Sequence, residues 1–286
     1  MEPASFYTED RYLLRGQLYS AKTALQGRVI VAGATGVPQG FYRRFAQFAC
    51  EQGFETLTFD YRGIGESKPE TLKGFEMDLL DWGKQDLAAA VEFMSKDDVP
   101  VFVIGHSYGG HAFGLLPNHH KVSGCYVFGT GAGWHGYMPF GEQLKVLTMW
   151  HLVLPVLTWW KGYCAWQVFG MGEDLPKNAF SQWRHWCRYP HYFFDDPKME
   201  GIETLYQAVE TPMVAANALD DLWAMPRSRD AFVQYYRNAP LTRQDLDPQT
   251  LGGKIGHMGY FRQPATPLWQ ASLDWFKSIN PAGSMA

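Results

Sequence analysis

A serine stands between close glycines at the end of an apolar run, Val99-Pro100-Val101-Phe102-Val103-Ile104-Gly105-His106-Ser107-Tyr108-Gly109-Gly110, and few folds accommodate that order. The apolar run reads as a strand buried on both faces, the kind found in parallel sheets. Tyr108 to about Leu116 reads as a helix, ending near Pro117-Asn118. A strand that reverses into a helix within two residues holds the residue at the turn in a strained conformation, and Gly105 and Gly109 remove the Cβ atoms that would collide there. The turn predicts an exposed nucleophile, Ser107, beside the first amides of a helix that stabilise negative charge. The bland alternative, an ordinary glycine-serine turn, is disfavoured by the strand before it and the helix after it.

The surrounding pattern alternates strand and helix. Residues around Tyr12 to Tyr19 read as antiparallel strands leading into a sheet. Strand follows at Arg28 to Ala34, helix at Phe41 to Gln52, strand at Glu55 to Asp60 and a long amphipathic helix at Met77 to Ser95. After the serine turn come a strand at Val122 to Gly129, a strand at Pro212 to Asn217, a helix at Arg227 to Arg237 and a last helix at Pro267 to Ile279. Such alternation implies an α/β fold: a mostly parallel, doubly wound sheet whose ligands sit at the carboxyl ends of the strands. The alternation stops between about Trp134 and Tyr206, which holds seven of the eleven tryptophans. Residues 134–206 therefore read as an aromatic-rich helical cap inserted into a core formed by residues 1–133 and 207–286.

Composition narrows the partners. The net charge is −4, and no basic run is interleaved with aromatics, which argues against nucleic acid. Cys50, Cys125, Cys164 and Cys187 are widely spaced and read as buried reduced thiols rather than disulfides or a metal site. Acidic residues near the start, in Met1-Glu2-Pro3-Ala4-Ser5-Phe6-Tyr7-Thr8-Glu9-Asp10, do not resemble a secretory signal, so a cytoplasmic location is expected. Leu144 to Trp160 is strongly apolar but contains Lys145, His151 and Pro155 and is short of the roughly 20 residues of a spanning helix. A packed or interfacial helix, without stable membrane insertion, is the reading. The glycine-containing loop Ala32 to Gly40 lacks the Lys-Ser/Thr of a nucleotide loop, and neither a cofactor nor a metal is expected.

A serine hydroxyl needs a base and an acid to orient it. Of nine histidines, His257 stands out, in the glycine-flanked loop Gly252 to Phe261 just before the last helix. His106 adjoins the nucleophile, but its side chain should point away from Ser107. His119 and His120 read as solvent-exposed at a helix end. The acid should follow the strand ending at Asn217, in Ala218-Leu219-Asp220-Asp221-Leu222-Trp223. Counting three positions on from Asn217 favours Asp220, with Asp221 as the alternative. Two amides should face the developing negative oxygen: that of Tyr108, and one from the loop Ala32 to Gly40, where Ala34 is the first candidate and Thr35 the second.

Gly105-His106-Ser107-Tyr108-Gly109, the loop at Gly33-Ala34, Asp60-Tyr61-Arg62-Gly63-Ile64-Gly65-Glu66-Ser67, Asp220 and His257 together resemble an α/β-hydrolase, over most of the chain outside the insertion. Ala32 departs from the histidine often found before the oxyanion glycine, and the stretch Gly33 to Pro38 resembles a poorly characterised bacterial branch of predicted hydrolases. The resemblance implies the α/β-hydrolase sheet with a cap, and Asp60 to Ser67 as a turn shaping the floor of the site. Serine at the turn, where haloalkane dehalogenases and epoxide hydrolases of the family carry aspartate, implies acyl transfer to water. The expectation is a serine hydrolase cleaving an ester or thioester of a small apolar acyl or aromatic substrate. A non-catalytic ligand-binding member of the fold, and an acyltransferase or perhydrolase using the same residues, are the alternatives.

Overall fold

The computed structural model describes residues 1–170, 172–250 and 252–279. Its strands are β1 (Glu2–Tyr7), β2 (Leu13–Tyr19), β3 (Gly27–Ala32), β4 (Phe54–Phe59), β5 (Val101–His106), β6 (Val122–Phe128), β7 (Met213–Ala218) and β8 (Leu241–Leu246). They form one sheet in the order β1-β2-β4-β3-β5-β6-β7-β8, antiparallel at β1-β2-β4 and parallel from β4 to β8. Every residue of β3, β5 and β7 is buried, because helices cover both faces.

The two faces have separate cores. Val29 and Val31 of β3 pack with Phe45 of α1 (Arg43–Glu51) and with Trp269 and Phe276 of the C-terminal helix. Ile30 and Ala32 point the other way, toward Val91 of α2 (Ala88–Met94) and Ala112 of α3 (Tyr108–Gly114). This alternation along one strand is the two-residue period of a pleated sheet.

Between β6 and β7 the chain is helical: α4 (Phe140–Thr148), a π-helical turn (Met149–Val153), α5 (Leu154–Lys161), α6 (Lys177–Trp186) and α7 (Ile202–Gln207). Then α8 (Pro226–Val233) precedes β8, and α9 (Thr266–Ile279) closes the fold. All four cysteines are free and buried.

Two expectations are corrected and one strand was unforeseen. The helix predicted over Met77 to Ser95 is shorter, a π-helical turn at Trp82–Leu87 running into α2, because Asp78 and Asp81 side chains accept from the Leu80 and Asp78 amides and hold residues 78–81 in a turn. β8 was not expected; its sequence Leu-Thr-Arg-Gln-Asp-Leu is polar because it is an edge strand with its four central residues exposed. β7 ends at Ala218, one residue beyond the predicted Asn217, and this small difference matters at the site.

Candidate active site

The tight turn after β5 puts Ser107 at φ 51° and ψ −106°, a region that residues other than glycine rarely occupy. The flanking glycines make the turn possible. A Cβ on Gly109 would lie 2.2 Å from the Ala32 carbonyl oxygen, and one on Gly105 would lie 2.7 Å from a Val127 methyl. The helix α3 is thereby seated against β3 with its N-terminus at Ser107.

His257 reaches Ser107 from the loop before α9. Its Nε2 lies 3.0 Å from Ser107 Oγ, and its Nδ1 lies 2.9 and 3.0 Å from the two oxygens of Asp221. An ionised carboxylate only accepts, so Nδ1 carries the proton and Nε2 is free to accept from the serine hydroxyl. Burial works against protonation of His257, but the charge and hydrogen bond of Asp221 outweigh it and raise its pKa above the ordinary imidazole value.

Asp221 is fully buried and fully satisfied. Besides His257 it accepts from the Tyr260 hydroxyl at 2.9 Å and from the Trp223 and Ala224 amides at 3.1 Å each. Burial raises its pKa, while His257 and these donors more than offset that and hold it below the usual carboxylate value.

The preference for Asp220 over Asp221 as partner of His257 is corrected. The count of three started from Asn217, but β7 continues to Ala218 and shifts the position by one residue. Asp220 instead accepts the Ile255 and Gly256 amides, each at 3.0 Å, and so fastens the loop that carries His257. Asn217 is buried and ties its own turn together by donating to the Thr130 and Ala224 carbonyls.

Ala34 is the second correction. Its amide donates to the Tyr42 hydroxyl at 2.8 Å, so it is not free to meet a substrate oxygen. The Thr35 amide and the Tyr108 amide, the latter at the first position of α3, make no hydrogen bond among the described residues. Thr35 lines the same cavity as Ser107 and His257.

His106 does point away from Ser107, into the core, where it is completely buried. It lies in a network that sequence reading missed. Its Nε2–H donates to the His257 carbonyl at 2.8 Å, leaving Nδ1 to accept from the Tyr42 hydroxyl at 3.0 Å, and Tyr42 in turn accepts from Ala34. Burial, with the neighbouring His257 charge, lowers the His106 pKa to about 3, so the ring is neutral. No local motif announces Tyr42, since its partners are 8 and 64 residues away in the chain.

Asp60, in the turn expected to shape the floor of the site, borders a neighbouring pocket with Gln39 and Glu66 and is not among the described residues lining the pocket that holds Ser107. It accepts from the Gln39 and Glu66 amides at 2.7 and 2.9 Å, and burial raises its pKa to about 6. His119 is half-buried and His120 exposed, and among the described residues no cluster of side chains has the makings of a metal site.

Above the serine lies a cavity of about 660 Å³, walled by Val37, Phe41, Trp166, Trp183, Trp223 and Met258, with Lys145 and Arg262 as its charged members. Trp223 stacks on His257 with ring centres 6.0 Å apart, and Trp183 packs against Trp150, Trp166 and Trp223. Aromatic pairs of this kind contribute about 0.5–1.5 kcal/mol each beyond the area they bury. The cluster thus forms an apolar wall of the cavity that holds Ser107.

The fold has many counterparts among solved structures. A soluble variant of monoglyceride lipase from Saccharomyces cerevisiae, in complex with a substrate analogue, superposes with a TM-score of 0.68 at 16% identity, covering 98% of this chain and 96% of that one. The alpha/beta hydrolase GrgF from Penicillium sp. sh18 gives 0.64 at 16% identity, over 97% and 98% of the two chains. A thermophilic esterase from Thermogutta terrifontis gives 0.62 at 13% identity, over 98% and 99%. At these identities the likeness is one of fold. No curated protein matches the sequence. The model of the alpha/beta hydrolase family matches residues 29–275, and the chain belongs to that family.

Proposed function

We propose that the protein is a serine hydrolase that cleaves an ester or thioester of a largely apolar small molecule through an acyl-enzyme. The observation that carries this reading is the aligned set Ser107 Oγ, His257 Nε2 at 3.0 Å and Asp221 on His257 Nδ1 at 2.9 Å. Ser107 Oγ attacks the substrate carbonyl carbon as its proton passes to His257 Nε2. Asp221 holds the resulting imidazolium, and the Thr35 and Tyr108 amides stabilise the oxyanion. Collapse breaks the bond to the leaving group, which takes the proton from His257. Water then attacks the acyl carbonyl, gives its proton to His257, and releases the acid as Ser107 recovers its hydrogen.

Residues 134–206 act in this reading as the cap that selects the substrate. Trp166 and Trp183 from that segment reach the cavity, and no carboxylate stands among its described lining residues. An acyl chain or aromatic group suits such walls. The esterase and lipase neighbours accord with cleavage of an ester.

A fluorophosphonate probe tests the reading. The wild-type chain should be labelled and Ser107→Ala should not; an unlabelled wild-type protein, or labelling that persists in the variant, removes Ser107 as nucleophile.

A further inference from the structure

The helical run Phe140–Lys161 has two faces of opposite destiny. Val146, Trp150, Leu154 and Thr158 recur every four residues and are buried. Phe140, Leu144, Leu152, Val156, Trp159 and Trp160 are exposed, from 59% at Val156 to 84% at Trp159. In an uninterrupted α-helix a four-residue repeat drifts around the axis, because 3.6 residues complete a turn. The wider π-helical turn at Met149–Val153 reverses that drift midway and keeps each set on its own side. Scattered exposed apolar residues are ordinary, whereas six on one face, two of them tryptophan, mark an interaction surface.

The surface is continuous with the candidate site. The same helix contributes Lys145 to the cavity, and the 3-10 turn Trp166–Phe169 contributes Trp166 while Val168 stays exposed.

Charge selects what covers it. The run carries Lys145 and Lys161 against one acid, Glu142, which already accepts from Trp223 and faces Lys145 at 3.2 Å. Within the run, His151, partly desolvated, feels the positive charges of Arg188 and of Arg184, the latter already donating to the Trp150 carbonyl at 3.1 Å. Among the described residues neither arginine has a carboxylate partner. An apolar band ending in tryptophans with cations alongside has the composition of an interfacial helix, in which indoles sit at the headgroup level and Lys and Arg meet anionic headgroups.

We propose that the exposed face of Phe140–Lys161 docks on an anionic lipid bilayer surface. Docking lies in the plane of the interface, since no helix among the described residues is long and apolar enough to cross a membrane. It is independent of the chemistry at Ser107.

The test is co-sedimentation of the full chain, and of its Ser107→Ala form, with phosphatidylcholine vesicles with and without phosphatidylglycerol. Both forms should bind the mixed vesicles, more weakly as salt rises. Trp159→Ser combined with Trp160→Ser, at side chains too exposed to support the core, should lower partitioning by about tenfold or more with unchanged thermal unfolding. No binding to mixed vesicles, or equal binding by the double variant, overturns the proposal. Binding indifferent to both salt and phosphatidylglycerol overturns the choice of an anionic surface. A wild-type dimer that the double variant converts to a monomer assigns the face to a second copy and also overturns it. Vesicle binding without turnover of any ester leaves docking intact and removes the proposed function; turnover without vesicle binding does the reverse.

Discussion

The buried imidazole of His106 donates from Nε2 to the main-chain carbonyl of His257 at 2.8 Å, so the residue next to Ser107 holds the loop that carries His257. Through Nδ1 and the Tyr42 hydroxyl the same ring is linked to the amide of Ala34. The histidine loop and the loop after β3, which lie on either side of Ser107, are therefore joined beneath it by three hydrogen bonds.

Tyr42→Phe tests that link. The change keeps the ring, which packs edge-on against Phe261 at 4.8 Å, but takes the partner from the buried Ala34 N–H and His106 Nδ1. Leaving buried polar groups unpaired costs about 1–3 kcal/mol, and urea unfolding at neutral pH should read a loss in that range. A variant as stable as wild type would mean that water or a shifted side chain takes over both partners.

The two adjacent aspartates should separate cleanly. Asp221→Asn leaves the wrong hydrogen-bonding partner on His257 Nδ1, and kcat on a short p-nitrophenyl ester should fall by roughly 10⁴. Asp220→Asn keeps one carbonyl oxygen for the Ile255 and Gly256 amides and should lower kcat far less. Equal losses, or the larger loss at Asp220, would refute the assignment of Asp221.

The pH profile follows from the charge state of His257. In the proposed mechanism His257 must be neutral to accept the Ser107 proton, and Asp221 raises its pKa above the ordinary value near 6.5. The rate, as kcat/KM, should therefore fall on the acid side with a midpoint above that value. In Asp221→Asn the raising influence is gone, and any residual activity should persist to lower pH. A wild-type midpoint at or below the ordinary imidazole value would contradict the ion pair as the controlling interaction.

Much of this was legible in the sequence because it depends on short-range necessity. A buried parallel strand must be continuously apolar, and a serine forced into positive φ must have glycines beside it, so β5, Ser107 and the following helix were read from one stretch of residues. What escaped depends on longer reach or on single-residue register. Asp220 and Asp221 differ by one position, and the choice turns on where β7 ends, which no pattern of apolar residues fixes. Tyr42 and His106 are tied across 64 residues, and Ala34 is taken out of service as a free donor by that same contact. β8 escaped because an edge strand with exposed side chains carries no apolar signature.

The positive φ of Ser107 and the close packing of its flanking glycines bear on folding as well. Gly109→Ala places a methyl 2.2 Å from the Ala32 carbonyl oxygen and 3.0 Å from its carbon, both backbone atoms of the central strand β3. Neither can rotate aside, so α3 must lift from the sheet and carry the amide of Tyr108 with it. Overpacking of this kind costs about 1–3 kcal/mol or more, and activity should fall together with Tm. Gly141→Ala is the control: it lies in α4 with nothing within 4 Å of the added methyl, and it should raise helix stability by up to about 1 kcal/mol. Parallel thermal unfolding of the two variants checks the argument, and a Gly109→Ala protein with wild-type Tm and activity would show that the contact between α3 and β3 is looser than its geometry requires.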